Sequence, residues 1–157
     1  MPRIEINLNI NAPARVVYDV ARRVEDFPDF MEDLQSLTVL ERSDDGNRTV
    51  TEWVGLIREF KMTVRWTQED LWDPVRLRDD FRLIKGDLTS MEGSWQFGET
   101  DSGAFFGSIV DYEYEVPLIG PMIKALIKKK MTANLEAQMT AIKLRAERLA
   151  SDGMVSD

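Results

Sequence analysis

Cysteine and histidine are both absent from this 157-residue chain. Without cysteine there is no disulfide, no thiol nucleophile and no thiolate metal site. Without histidine the commonest general base and the commonest transition-metal ligand are missing together. No apolar run approaches the roughly 18 residues that mark a membrane-spanning helix. Met1-Pro2-Arg3-Ile4-Glu5 lacks the apolar stretch of a secretory leader. The glycines form no phosphate-cradling loop, and Asp44-Asp45 with the scattered glutamates lack calcium-loop spacing. Positive charge is in deficit: 20 Lys and Arg stand against 28 Asp and Glu, a net −8. Binding to nucleic acid through phosphate contacts is disfavoured by that balance. The expectation is a cytoplasmic protein with no cofactor, no metal and no nucleic-acid partner. Its oligomeric state is not legible.

What is present has a clear rhythm. Hydrophobic residues make up 43% and charged residues 31%, an ordinary balance for a globular domain. The length predicts one domain over residues 1–150, followed by a loose tail over 151–157. The longest regular stretch runs from Pro117 to Ala150. Ile119, Ile123, Ile127, Met131, Leu135, Met139 and Ile142 fall at steps of three and four, one stripe of an α-helix. A helix of about thirty residues is roughly 45 Å long, so a broad surface must cover the stripe. Ile123, Ile127, Met131 and Leu135 are expected to face that surface.

The preceding residues read as a sheet. Ile4, Ile6, Leu8 and Ile10 alternate with polar residues as a half-buried strand does. Asn11 is the expected cap of a short helix from Pro13 to Val24, and a second short helix is expected near Pro28. Strands are then predicted from about Leu34 to Arg42, Arg48 to Ile57, Glu59 to Trp72, Val75 to Ile84, Leu88 to Gly98 and Ala104 to Val116. Short turns between them indicate an antiparallel meander. Period-two parity puts Phe60, Met62, Val64 and Trp66 on one face with Val75, Leu77, Phe81, Leu83, Met91, Trp95, Phe106, Val110, Tyr112 and Tyr114. The other face is Arg, Lys, Asp and Glu. One wet face and one dry face suit a sheet covered by a single helix.

Val17-Tyr18-Asp19-Val20-Ala21, followed by Val24-Glu25-Asp26-Phe27-Pro28-Asp29-Phe30-Met31, resembles the opening of the START-like (SRPBCC, Bet v1-like) superfamily, in its polyketide cyclase/dehydrase and coenzyme Q-binding branch. Met91-Glu92-Gly93-Ser94-Trp95-Gln96-Phe97 is similar to a characteristic strand of that branch. Asp111-Tyr112-Glu113-Tyr114-Glu115-Val116-Pro117-Leu118 is similar to its passage into the last helix. The resemblance implies an α+β helix-grip fold: a curved antiparallel sheet of about seven strands around the C-terminal helix, with two short helices after strand one. It also implies an apolar ligand, such as a lipid, prenylquinone or polyketide, held between sheet and helix.

Trp53, Met62, Trp66, Asp79, Phe81, Met91, Trp95, Phe106, Tyr112, Tyr114, Met122, Leu126, Met131 and Asn134 are the expected ligand-binding residues. Methionines adapt to a ligand's shape, and Trp and Tyr stack or donate hydrogen bonds. The same stripes also suit a filled core. Asp79 has inward parity between Leu77 and Phe81; the alternative is a bulge at Asp79-Asp80 that turns it to water. Thr51, Ser108 and Gln138 are further polar candidates. Lys124 with Lys128-Lys129-Lys130 forms either a solvated face or an attractor of anionic headgroups, and Leu118 to Ile123 either a membrane-touching gate or a buried turn. A cyclase of this branch typically carries an arginine where Glu69 stands, which counts against enolate stabilisation. No catalytic residue is assigned; the acid/base candidates are Asp79, Tyr112 and Tyr114. Three classes stay open: a carrier of a hydrophobic small molecule, read first; a polyketide cyclase or dehydrase; and an interaction module like the ribosome-associated members.

Overall fold

The computed structural model describes residues 2–58, 61–114 and 120–156, with side chains through residue 152. The first strand, β1 (Arg3–Ile10), alternates exposed and buried positions and leads into helix α1 (Ala14–Arg22). Pro13, not Asn11, takes the cap position, and no side chain of its own caps the helix. Instead Glu99 reaches across, and the Ala14 N–H donates to its Oε1 at 2.7 Å. A carboxylate there also complements the positive end of the helix dipole. Asn11 uses its backbone differently, donating N–H to Glu147 Oε2 at 2.8 Å. A 3-10 turn (Val24–Asp26) and the one-turn helix α2 (Phe27–Phe30) follow, with Pro28 in the first turn, where its missing N–H costs nothing.

Six further strands are β2 (Leu34–Arg42), β3 (Arg48–Ile57), β4 (Met62–Asp73), β5 (Arg78–Gly86), β6 (Ser90–Thr100) and β7 (Gly103–Glu113). Together with β1 they form one sheet in the order β1-β7-β6-β5-β4-β3-β2, every pair antiparallel. Helix α3 (Pro121–Ser156) covers the apolar face, giving the helix-grip arrangement. Among the described residues, no helix is long and apolar enough to cross a membrane.

The boundaries of β5 and α3 differ from the sequence expectation. Strand β5 begins at Arg78, because residues 74–77 form a turn. Val75 is 90% exposed there, and Leu77 adopts a left-handed φ of 53°. Pro74 explains the delay: it has no N–H to offer a ladder. Helix α3 runs through Ser156, into the segment expected as a loose tail. The expectations at Glu59, Phe60 and residues 115–119, the proposed gate from Leu118 and the helix start at Ile119 among them, lie outside the described residues.

The stripe of α3 also divides into unlike parts. Met139, Ile142, Ala146 and Ala150 are buried, where the helix packs on α1 and β1. At the other end Met122 is 82% exposed and Ile123 39%. Ile123 therefore does not pack as its spacing predicts; burial begins at Ile127. Helical periodicity marks one side of a helix; it does not say how much of that side is covered.

Candidate functional site

Between the first covered turns of α3 and the middle of the sheet lies a cavity of about 130 Å³. Its walls are built by strand parity. On β4 the inward residues are Val64, Trp66, Gln68, Asp70 and Trp72, all of which line it. β3 adds Trp53, Gly55 and Ile57, β5 adds Asp79 and Phe81, and β6 adds Met91 and Trp95. Helix α3 closes it with Met131, Asn134, Leu135 and Gln138. Asn134 ties helix to sheet, donating Nδ2–H to the Leu56 carbonyl at 3.2 Å. The partly exposed wall residues Asp33, Gly55, Trp66, Met131 and Leu135 mark the mouth.

Eight of the fourteen residues expected to bind ligand come together on this wall: Trp53, Trp66, Asp79, Phe81, Met91, Trp95, Met131 and Asn134. The other six lie off it. Phe106 is fully buried and stacked on Phe97, with centroids 4.7 Å apart. Tyr112 is buried opposite Met91, and Tyr114 is half-buried just beyond β7. Met62 and Leu126 are half-buried away from the wall, and Met122 is exposed. Burial raises the phenol pKa of both Tyr112 and Tyr114, so neither offers a ready base. Thr51 is satisfied as a core residue, accepting the Trp53 Nε1–H at 2.7 Å.

No bulge turns Asp79 outward. It is 1% exposed and stands in register between Trp72 and Trp95. Nor does it pair with an arginine: Arg78 is bound to Asp80 and Arg82 to Glu69. Its neighbour is another carboxyl, Asp70, which lies diagonally across from it on β4 and is 3% exposed. The two share a hydrogen bond. Asp79 is held well above the usual carboxylate range, first by burial and then by the charge and hydrogen bond of Asp70. Burial also raises Asp70, while its bonds to Asp79 and Gln68 oppose that rise. Two carboxyls this close cannot both ionise in a dry site, so Asp79 holds a proton and donates it to Asp70. The pair continues along β4: Gln68 Nε2–H donates to Asp70 Oδ1 at 2.8 Å, and Trp66 Nε1–H donates to Gln68 Oε1 at 2.7 Å.

Asp70, Gln68 and Trp72 were not among the expected site residues, although the signal was present. Continuing the parity of Val64 and Trp66 by twos reaches all three. The same count places Glu69 on the outer face. There it accepts from Arg48 at 2.7 Å and Arg82 at 2.9 Å, which hold its carboxyl below the usual range. Its charge therefore does not face the cavity, although the arginine that the resemblance implies at this position is still absent.

Residues 10–139 match the family model described as polyketide cyclase / dehydrase and lipid transport. The chain is 30% identical over 149 residues to the actinorhodin polyketide synthase bifunctional cyclase/dehydratase of Streptomyces coelicolor. That alignment takes in 93% of this chain but 44% of the relative, so the chain spans less than half of that enzyme. Among solved structures, TTHA0849 from Thermus thermophilus superposes with a TM-score of 0.87 at 29% identity, covering 95% of this chain and 99% of its own. The Zhui aromatase/cyclase from Streptomyces sp. R1128 superposes at 0.84 with 18% identity and 94% of each chain covered, a likeness of fold.

Proposed function

Because the chain belongs to the polyketide cyclase/dehydrase and lipid transport family, we propose that it binds a planar apolar small molecule in the cavity between β3–β6 and α3. Family and fold support hydrophobic ligand binding or a polyketide aromatase/cyclase role, and binding is the reading the wall favours. The observation that carries it is the placing of the tryptophans. The chain has four, and Trp53, Trp66, Trp72 and Trp95 all line the one cavity. Trp53 and Trp66 stack with centroids 5.6 Å apart at 14°, a flat flank suited to a flat ligand. The volume resembles that of a cavity of about 150 Å³ that admits benzene. One ring of a ligand fits inside, and the remainder extends through the mouth beside Met131 and Leu135.

A second reading has a specific observation in its favour. The Asp70–Asp79 pair supplies one protonated and one ionised carboxyl in an apolar setting, the acid and base that aldol closure and dehydration require without histidine. Tryptophan emission decides the binding reading. Titration with polycyclic aromatics, prenylquinones and fatty acids should quench or shift emission saturably for at least one planar class. Unchanged emission across the panel overturns it. A ring-closure assay on a poly-β-ketone, comparing the unaltered chain with Asp70→Asn, tests the second reading.

A further inference from the structure

Buried polar groups are almost always partnered, and each one left unpaired costs stability. Among the described residues five buried side-chain atoms have no partner: Thr49 Oγ1, Trp72 Nε1, Asp79 Oδ1, Trp95 Nε1 and Ser108 Oγ. They are not scattered. Trp72 pairs in register with Asp79, Asp79 with Trp95, and Trp95 with Ser108, so four of the five form a single row across β4, β5, β6 and β7. The fifth, Thr49, lies opposite Asp70 in the adjoining row. Three members of the main row line the cavity with their unpartnered atoms covered, so a hydroxyl meets those atoms once the side chains turn toward it.

The chemistry of the row is definite. Asp79 gives its proton to Asp70, which leaves Oδ1 a carbonyl-type acceptor in need of a donor. The two indole N–H groups can only donate, and need an acceptor. A ketone or ether oxygen would serve the indoles and leave Asp79 unmet. A carboxylate would serve the indoles but place a second negative charge beside Asp70 in a dry site. A neutral hydroxyl meets both demands. We propose that the row is a subsite for the hydroxyl of a planar ligand, a phenol or the enol of a cyclic ketone, which donates to Asp79 Oδ1 and accepts from the Trp72 or Trp95 indole N–H.

This deepens the binding reading and rests on it: the ligand enters hydroxyl first, and one bearing an anion at its deep end is rejected. The remaining titratable or charged groups around the pair are Tyr18 from α1, whose ring meets Trp72 edge-on at 5.7 Å, with Asp80 and Glu69 next along the strands. From β6 and α3 the wall is neutral, through Trp95, Asn134 and Gln138.

The test is equilibrium dialysis of the full chain at pH 7 against naphthalene, 2-naphthol and 2-naphthoate. The naphthol should bind at least roughly tenfold more tightly than naphthalene, since a site whose buried polar groups are left unpaired rejects the analogue. The naphthoate should bind most weakly. Asp79→Asn should keep the naphthol preference, because its amide N–H still donates to Asp70 and its carbonyl still accepts. Asp79→Leu should abolish the preference while retaining naphthalene. Should the leucine variant fail to fold, the ranking of the three probes on the unaltered chain and on Asp79→Asn decides alone. Equal affinity for naphthol and naphthalene, or a preference for the naphthoate, overturns the subsite and leaves the binding reading standing, with water satisfying the row. Failure of all three probes to bind overturns both.

Discussion

Asp79 shows how much one side chain can mean once its neighbours are known. A protonated acid in an apolar wall is an uncharged donor and acceptor; burial favours that state first, and Asp70 beside it adds to the preference. The pH consequence has a definite sign. An acid whose pKa is higher in the folded than in the unfolded chain holds its proton more tightly when folded. The stability tied to that proton is complete below the unfolded value and declines as pH rises towards the folded one. Asp79, raised by burial and then by Asp70, works in this direction, and Asp70 is raised too. Asp79→Asn removes the titration but keeps a donor for Asp70. At pH 7 the variant should be more stable by about 1–3 kcal/mol, with the gap closing near the ordinary carboxyl pKa of about 4. Urea unfolding at the two pH values measures this. A gap independent of pH, or a less stable variant at pH 7, contradicts the shared proton.

At the scale of elements, β4 and α3 each do two jobs. The inward side of β4 carries Trp66, Gln68, Asp70 and Trp72 on the cavity wall, while Glu69 on its other side joins Arg48 and Arg82. Helix α3 is divided along its length: its latter part anchors the fold and its earlier part closes the cavity. Gly93 on β6 belongs to the same construction, since a Cβ there would collide with the Ile109 backbone carbonyl and come within 2.8 Å of Phe81 Cζ. The division of α3 makes a sharp mutational contrast. Ile142 is fully buried, and Ile142→Ala should cost about 2–5 kcal/mol by the usual cavity penalty. Ile123, 39% exposed on the same stripe, should change stability by no more than about 0.5 kcal/mol as Ile123→Ala. Denaturant midpoints of the two variants at unchanged slope give the comparison. Equal losses would mean the early turns of α3 pack as firmly as the late ones.

For the whole molecule, the cavity and the core share the same walls. Trp95 meets Phe106 edge-on at 5.4 Å, and Tyr18 meets Phe97 at 5.8 Å, so the aromatic core begins where the cavity ends. A ligand seated there adds contacts that only the folded chain can make. At a free concentration about a hundred times its Kd it should stabilise by about 2.7 kcal/mol. For a chain of this size that is a rise in Tm of roughly 5–11 °C. Thermal unfolding of the unaltered chain with saturating 2-naphthol measures it. A dialysis-positive ligand that leaves Tm unmoved would be binding somewhere other than this cavity.

The strands, the long helix and the one dry face of the sheet were legible in the chain alone, because the backbone imposes its own periods; their helix-grip arrangement was what the family resemblance implied. Alternation by twos in β1 and β4 to β7, and steps of three and four through α3, are local properties that survive without neighbours. Inward parity for Asp79 was legible for the same reason, whereas a cavity on that face was expected only from the family resemblance. The same parity turns Gln68 and Asp70 inward and Glu69 outward. A lone buried carboxyl is costly, so nothing local to β4 calls for one on that wall. What removes that cost is a proton shared between strands, and no single strand records it. The pairing depends on the diagonal register of β4 against β5, just as the exposure of Ile123 and Met122 depends on what α3 packs against. These are distances between parts far apart in the chain, and only the assembled sheet and helix decide them.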